Sequence, residues 1–519
     1  MNSLSNPITL AGGGTVLNPP ADLVIALANG TYTNADLATG IKIGVTSTAL
    51  LDLVDVTNDI VFMGGTMFNL AGYAGNLTIA SGTLAMPATL GFSSLTMTGG
   101  IADFNGVTSD FPITLRGGAL ANAAGYSGVL TVAGNVTMTA TGAGAGSLVI
   151  APTGKLTLAT TLANSVTVNG GILEGGSIAL SQVTAQTGTL NTVLTGAAAL
   201  TKNAAGTLTL GRANTFSGGV NVNQGLVQLN LGTTGALASQ ALTFGGTAGF
   251  ATDNAGATAA RTQALGALSV TAGDAAITLN RTAAFNTTLS FTSLAGRSNG
   301  GTINFAATGT TPSLGTTELV TLTGQAAKPF LGAGYFVNGS GYAAINASAQ
   351  VIAATLTAAP TAATLGATTS TSYLDVTGAI TAQTTATVGA LRFNTTNGLA
   401  FADGNTLQVN GLLKSGGNAA TIASAGAGTT GSLMPVIGTQ ELIVRTDVAA
   451  DTLTLGDGIG IINNGAAVSL VKSGAGRLTL TSPSAYTGNT TVNQGVLWVN
   501  HTATLGTSAG TVTVRPGAT

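Results

Sequence analysis

The chain has no cysteine and very little charge. Its 519 residues include 15 Lys and Arg, 17 Asp and Glu and no Cys, with a net charge of −2. The absence of thiols excludes disulfide bonds, thiol catalysis and thiolate metal sites. Because the basic residues are scattered singly from Lys42 to Arg515, we expect no nucleic-acid partner.

Aromatic residues and long apolar runs are also scarce. Aromatics make up 4% of the chain. No apolar run approaches the roughly 18 residues that a membrane-spanning helix needs, which excludes a helical membrane protein. An outer-membrane barrel is an alternative, although barrel strands carry aromatic girdles that this sequence lacks.

Glycine and small polar residues are abundant instead. The 76 glycines are about twice the usual share. With so few charges, Thr, Asn, Ser and Gly must form the wet surface, which suits strands and tight turns rather than helices. The start, MNSLSNPITL, has no signal-peptide pattern, and the end, TVTVRPGAT, begins a new strand and turn. We expect the chain to be a fragment of a longer protein.

A 31-residue phrase occurs twice, 270 residues apart. It reads LTKNAAGTLTLGRANTFSGGVNVNQGLVQLN from Leu200 and LVKSGAGRLTLTSPSAYTGNTTVNQGVLWVN from Leu470, with 13 identical positions. Such self-similarity is typical of a stacked repeat architecture.

A fainter rhythm of about 53 residues runs through the N-terminal part. Strand-like segments of the form apolar-x-apolar begin at Ile8, Ile60, Ile113, Val166 and Val220. Within this rhythm GGTMFNLAGYAGNLTIA from Gly64 returns as GGALANAAGYSGVLTVA from Gly117, so Tyr73 matches Tyr126.

These patterns predict an all-β parallel β-helix, or β-solenoid, with coils of roughly 20 residues. Short segments alternate apolar and polar residues, the period of a half-buried strand, and are separated by turn residues. We expect one continuous rod, with an N-terminal solenoid over 1–199, a central solenoid over 200–469 opened by the first phrase, and the second phrase with new coils over 470–519. A β-sandwich array is the rival fold.

The repeated phrase resembles the autotransporter-associated β-strand repeat of bacterial autotransporter passenger domains. The shared pattern is L-x-K-x-x-x-G-x-L-x-L-x(5)-[FY]-x-G-x-x-x-V-x-x-G-x-[LV]. The resemblance implies a right-handed β-helix, secreted or displayed on the surface of a Gram-negative-type bacterium, often adhesive or structural. Such passengers typically precede a C-terminal membrane barrel, which this sequence does not contain.

We interpret the repeated residues as structural. They are Lys202, Gly206, Phe216, Gly218, Asn223, Gly225, Lys472, Gly476, Tyr486, Gly488, Asn493 and Gly495. We expect the lysine side chains either to lie over apolar rungs with the ammonium group in water or to block pairing at a strand edge. We expect the aromatic side chains to stack in the core and the asparagines to form ladders at turns. Gly225 and Gly495 suit corners that need a positive φ.

Few residues suggest catalysis or metal binding. The densest acidic group, Asp36, Asp52, Asp55 and Asp59, is either a cation site or a solvated turn, and we favour the turn. The single histidine, His501, is interpreted as a turn residue. We expect no catalytic residue, no cofactor and no metal.

The leading hypothesis is a non-enzymatic extracellular structural or adhesive solenoid that self-associates, head to tail, into a filament. One alternative is a glycan-active lyase or hydrolase on the same fold, which needs clustered carboxylates. Another is a monomeric adhesin that binds a glycan or a host-cell partner.

Overall fold

A computed structural model of the chain describes residues 8–10, 24–27, 30–32, 41–45, 51–53, 57–64, 66–67, 73–86, 93–104, 107–123, 125–138, 147–159, 165–232, 235–298, 300–360, 362–502, 504–507 and 509–519. In these residues the regular structure is β-strand, apart from one 3₁₀ turn at Leu180–Gln182. The chain separates into two compact units. Unit 1 is Met1–Ala199 with Gly206–Ser217, and unit 2 is Leu200–Ala205 with Gly218–Thr519.

The strands of unit 1 are β1 (Ile8–Leu10), β2 (Val24–Leu27), β3 (Gly30–Tyr32), β4 (Ile41–Val45), β5 (Leu51–Leu53), β6 (Ile60–Gly64), β7 (Thr66–Met67), β8 (Asn76–Ile79), β9 (Thr83–Ala85), β10 (Ser94–Met97), β11 (Ile101–Asp103), β12 (Ile113–Leu115), β13 (Ala119–Ala121), β14 (Val129–Val132), β15 (Asn135–Met138), β16 (Ser147–Ile150), β17 (Lys155–Leu158), β18 (Val166–Ala179), β19 (Val183–Thr195) and β21 (Thr207–Leu210).

The strands of unit 2 are β20 (Leu200–Lys202), β22 (Val220–Val222), β23 (Gly225–Asn230), β24 (Leu242–Phe244), β25 (Ala248–Asp253), β26 (Arg261–Val270), β27 (Asp274–Arg281), β28 (Thr287–Arg297), β29 (Thr302–Gly309), β30 (Glu318–Leu322), β31 (Tyr335–Val337), β32 (Gly341–Ile345), β33 (Val351–Ala353), β34 (Thr357–Ala358), β35 (Tyr373–Asp375), β36 (Ile380–Gln383), β37 (Ala386–Phe393), β38 (Leu399–Phe401), β39 (Asn405–Lys414), β40 (Ala419–Ser424), β41 (Gly431–Met434), β42 (Glu441–Thr446), β43 (Thr452–Leu455), β44 (Ile459–Ile461), β45 (Ser469–Ser473), β46 (Arg477–Leu480), β47 (Thr490–Val492), β48 (Val496–Val499) and β49 (Val512–Val514).

Unit 1 is built on one long parallel ladder. Strand β1 pairs with β2, and the ladder continues through β4, β6, β8, β10, β12, β14, β16, β18, β19 and β21. Its inward apolar column is at most 1% exposed and contains Ile60, Leu77, Leu95, Ile113, Leu130, Leu148 and Val166. A buried Leu or Ile of this kind contributes about 1.5–3 kcal/mol through burial.

The 53-residue rhythm corresponds to three coils of this ladder. Leu77 and Leu95 lie on the two rungs between Ile60 and Ile113. Successive partners are thus 17 or 18 residues apart, somewhat fewer than the expected 20. The outward Thr78, aligned with Thr96 on the next rung, supplies the polar face.

Matching tyrosines close the same corner three coils apart. Tyr73 and Tyr126 are both buried, and each hydroxyl lies within hydrogen-bond distance of two backbone carbonyl oxygens. Tyr126 Oη reaches the carbonyls of Phe111 and Val129, both at 2.8 Å. Burial raises the pKa of both phenols.

Unit 2 contains two β-helical arms. The first arm, residues 200–205 and 218–337, has the parallel ladders β20-β22-β24-β26-β28-β30 and β23-β25-β27-β29-β31. The second arm, residues 357–519, has β34-β35-β37-β39-β42-β45-β47-β49 and β36-β38-β40-β43-β46-β48. Between the arms, β31, β32 and β33 pair antiparallel.

The predicted all-β parallel β-helix is confirmed. The proposed division at residues 199/200 and 469/470 stays a prediction. We predicted one continuous rod from the sequence and did not predict that the chain turns back on itself within unit 2, as described next.

Candidate functional site

The two arms of unit 2 lie side by side and run in opposite directions. Thr247 Oγ1 donates to the carbonyl of Asn493 at 2.7 Å, and Arg297 Nη2 donates to Glu441 Oε2 at 3.2 Å. Between these two contacts the position in the first arm rises while the partner's position in the second arm falls. The chain therefore turns back on itself within unit 2.

An apolar cluster fills part of the space between the arms. It contains Phe336, Tyr342, Ala390, Leu413, Ile443 and Val471, all nearly inaccessible to water. The last four lie on β37, β39, β42 and β45, where their strand neighbours Leu391, Leu412, Val444 and Leu470 face the interior of the second arm. Both faces of this sheet are consequently buried.

A buried ion pair crosses the same space. Arg445 Nη1 donates to both carboxylate oxygens of Asp274, at 2.9 and 3.2 Å, and both side chains are at most 6% exposed. Asp274 also accepts bonds from Thr302 Oγ1 at 2.8 Å and Gly474 N at 3.1 Å. All four bonds satisfy a carboxylate that would be costly to bury unpaired.

A cavity of about 360 Å³ opens beside this ion pair. Its lining includes Gly225 from the first phrase and Gln494 from the second, so the reversal brings the two VNQG segments to one site. Asp447 also lines it and accepts a bond from Arg445 Nη2 at 3.1 Å. Burial raises the pKa of Asp447, against the opposing effect of Arg445.

The lysines of the two phrases are buried. Lys472 Nζ donates to the carbonyls of Ser473 and Gly474 at 2.7 Å and of Gln494 at 3.0 Å. Lys202 Nζ donates to the carbonyls of Ala204 and Ala205. Both side chains are 0% exposed, so the expectation that their ammonium groups reach water was wrong. They instead satisfy turn carbonyls that a buried corner would leave unpaired.

Burial changes the acidity of these lysines. It lowers the pKa of Lys472 from 10.5 to about 7, partly opposed by the nearby carboxylate of Asp274. It also lowers the pKa of Lys202.

Comparison with known families identifies the repeated phrase. The passenger-associated-transport-repeat family matches residues 200–229 and 470–499. We call these two matched segments the passenger repeats. The predicted resemblance to the repeats of autotransporter passengers is therefore confirmed. No curated protein and no solved structure matches the chain.

The two matched segments suggest a passenger domain of an autotransporter. No helix in the described ranges is sufficiently long and apolar to span a membrane.

Equivalent asparagines of the two passenger repeats make different contacts. Asn223 is exposed, and its Nδ2 donates to Asn203 Oδ1 at 2.7 Å within the first arm. Asn493 is 0% exposed, and its Nδ2 crosses to the carbonyl of Gly300 at 2.7 Å. Its Oδ1 accepts from Arg515 Nε at 3.0 Å. The same repeat position therefore contacts the neighbouring coil in the first copy and the opposite arm in the second copy.

Glycines of the passenger repeats occupy corners. Gly225 and Gly495 both have φ of 73°, the conformation that the sequence analysis expected for them. Gly206 also has a positive φ, whereas at Gly476 and Gly488 an added Cβ would meet backbone carbonyl oxygens at 2.4 Å. The sixth glycine of the set, Gly218, lies in the bend before β22.

Repeat aromatics lie in the core. Phe216 and Tyr486 are 0% exposed, and the Tyr486 hydroxyl is 2.5 Å from Thr490 Oγ1. Trp498 is different, because it is half exposed and lies 5.1 Å from the Arg477 guanidinium.

Sequence reasoning missed a third lysine of the same kind. Lys414 is 0% exposed, and its Nζ lies 2.6 Å from Asn418 Oδ1 and 3.4 Å from Asp451 Oδ1. The sequence signal for Lys414 is the segment LLKSGG from Leu412, which resembles the LVKSGA that opens the second passenger repeat. The sequence analysis also missed Asp274 and Arg445, because an ion pair between separate arms leaves no local pattern.

The remaining sequence candidates are scattered. Asp36 and Asp55 lie outside the described residues, and the side chain of Asp52 does too. Asp59 is exposed and accepts from Asn76 Nδ2 at 2.9 Å. His501 lies in an exposed turn. Among the residues that the structure describes, no three His, Asp or Glu side chains are grouped to hold a metal ion.

Proposed function

We propose that this chain is a non-enzymatic extracellular passenger that serves as a structural and adhesive solenoid on a Gram-negative cell surface. The observation that supports this most strongly is the use of its few charges. Asp274 and Arg445 are buried and bonded to each other across the arms, and Lys472 is buried and donates to the carbonyl of Gln494 on the next coil. Charge that holds the scaffold together in this way is not free for substrate.

A glycan-active enzyme would need carboxylates with free oxygens in a groove. Asp274 accepts four hydrogen bonds from three donor atoms on its two oxygens. Asp447, with its raised pKa and its place at the 360 Å³ cavity, is the residue that such an alternative would have to use.

Polysaccharide cleavage separates these two functions. The purified chain is incubated with neutral and uronate-containing polysaccharides, and new reducing ends are measured. We expect none. Cleavage that disappears in Asp447→Asn would replace the structural proposal with the glycan-active one.

We further propose that copies associate through exposed apolar side chains of β48 and β49. Val499, Val512 and Val514 on these strands are 41 to 52% exposed, and exposed apolar groups that lie together favour association with another chain. A second copy of the chain is the proposed occupant, and repetition of this contact would give a filament.

Sedimentation velocity over a wide concentration range tests the association. We expect concentration-dependent oligomers with weak salt dependence, because the chain has little charge. A blue shift of Trp498 emission should accompany assembly, since β48 becomes covered. Val514→Lys should weaken association. A strictly monomeric chain, or a variant that assembles as well as the wild type, would contradict this proposal.

A further inference from the structure

A second cavity lies where the two arms of unit 2 meet. It has a volume of about 340 Å³, within the usual range of small-ligand pockets. Residues of both arms line it, so it exists only because the chain reverses. We call it the junction cavity.

Aromatic rings form an apolar wall of the junction cavity. Phe330 and Tyr373 stack with their centroids 4.1 Å apart and an interplanar angle of 16°. Tyr342 meets Phe330 edge-on at 5.2 Å and donates its hydroxyl to the carbonyl of Leu391 at 3.2 Å. These contacts fix the rings, so the wall is rigid before any ligand arrives.

Polar groups line other parts of the cavity. Arg297 Nη2 and Glu441 Oε2 are 3.2 Å apart, and the two side chains are 15 and 29% exposed. Asn410 and Thr439 add an amide and a hydroxyl. Asn410 Oδ1 accepts from the backbone N–H of Val436 at 2.9 Å, which fixes the orientation of its amide.

We propose that the junction cavity binds a neutral pyranose unit of a glycan. A pyranose has an apolar C–H face that suits an aromatic wall, and ring hydroxyls that suit a carboxylate, a guanidinium and an amide placed together. An anionic sugar would need an uncompensated cation, but Glu441 already neutralises Arg297. An apolar ligand would leave these polar groups without partners.

This inference rests on the adhesive part of the proposed function and names its ligand class. The first experiment is saturation-transfer NMR on the intact chain. The neutral probes are methyl β-D-galactopyranoside, methyl α-D-mannopyranoside and methyl β-D-glucopyranoside, and methyl β-D-glucuronoside is the anionic probe. We expect transfer to at least one neutral probe and little to the glucuronoside. No transfer to any neutral probe overturns the proposal.

Two substitutions then locate the site. Asn410→Ala should weaken the bound neutral probe about tenfold, as loss of a hydrogen bond predicts. Glu441→Gln should weaken it similarly and raise affinity for the glucuronoside, because Arg297 loses its partner. Unfolding of the variant would weaken binding of both probes, so a change of preference from the neutral probe to the glucuronoside cannot be explained by unfolding.

Glu174→Gln is the matched control. Glu174 pairs with Lys155 at 2.8 Å and is 27% exposed, close to the value for Glu441, but lies in unit 1. It should leave binding unchanged. Unchanged binding in Asn410→Ala and Glu441→Gln overturns the location. Such a failure leaves the cleavage and sedimentation results intact, so it is distinguishable from failure of the proposed function.

Discussion

Arg445 binds Asp274 across the two arms of unit 2, with 2.9 Å between Nη1 and Oδ2. The two residues are 171 positions apart and lie on β42 and β27. The same guanidinium lies 4.9 Å from the ring centroid of Phe336 and donates to the carbonyl of Gly339. One side chain thus holds a charge pair, an aromatic contact and a backbone bond at the interface that makes unit 2 compact.

We expect Asp274→Ala to destabilise unit 2 by about 3–5 kcal/mol, because it breaks a buried ion pair and leaves Arg445 with only the more exposed carboxylate of Asp447. Trp498 is the single tryptophan and lies in the second arm, so its fluorescence follows denaturant unfolding there. The control Glu174→Ala removes a partly exposed pair in unit 1, so its unfolding is followed by circular dichroism, and it should cost about 0–1 kcal/mol. Equal shifts of the two midpoints would show that the buried pair has no special role.

The second prediction concerns pH and Lys472. Its pKa is about 7 in the folded chain and 10.5 ordinarily, because burial disfavours the charged form. Between these values the unfolded state binds more protons, so the free energy of unfolding should rise with pH. Lys472→Met should remove this part of the slope between pH 7 and 9.5. Comparison with the wild type cancels the contributions of the other buried lysines.

Lys155→Met, which removes a partly exposed lysine, is the control for that experiment. It should leave the slope unchanged. A Lys472→Met variant whose midpoint follows pH as the wild type does would contradict the assigned shift.

The sequence predicted the coils well because its strongest signal is local. The alternation of apolar and polar residues at Leu77-Thr78-Ile79 predicts which side chains face inward. The repetition of such segments along the sequence predicts that the strands stack in parallel. The 53-residue period was visible, yet its division into three coils was not, because only every third coil has a closely similar corner such as those of Tyr73 and Tyr126.

The reversal of unit 2 could not be predicted in the same way. Alternation identifies the inward face but does not say what covers the outward one. The available signal was the loss of alternation in ELIVR and SLVK, where Ile443 and Val471 place apolar groups on both faces. Which element covers that second face depends on long-range packing, as does the pairing of Asp274 with Arg445.

The third prediction compares equivalent asparagines of the passenger repeats. Asn493→Ala leaves the buried carbonyl of Gly300 and the Nε of Arg515 without a partner, and should cost about 2–4 kcal/mol. Asn223→Ala removes an exposed contact and should cost less than about 1 kcal/mol. The midpoint of chemical unfolding measures the cost of each variant. Asn493→Ala is followed by Trp498 fluorescence, and Asn223→Ala by circular dichroism because Trp498 is remote from it in sequence. Similar costs would mean that the arm contact of Asn493 contributes little.

The last prediction separates backbone strain from lack of space. Gly495 has φ of 73°, and Gly417 has φ of 72°. An added Cβ at Gly495 would lie 2.4 Å from the carbonyl oxygens of both Gly474 and Gly476, whereas nothing lies within 4 Å at Gly417. Gly417→Ala should therefore cost only the left-handed conformation, about 1–2 kcal/mol.

Gly495→Ala should cost that amount and roughly 1–3 kcal/mol more, because two backbone oxygens must move to admit the methyl group. Trp498 is three residues from Gly495, so its unfolding transition reports this corner directly. We expect a clearly larger midpoint shift for Gly495→Ala than for Gly417→Ala. Equal shifts would mean that the positive φ alone accounts for the requirement for glycine at the VNQG corner. The closely stacked coils there would then have room for a side chain.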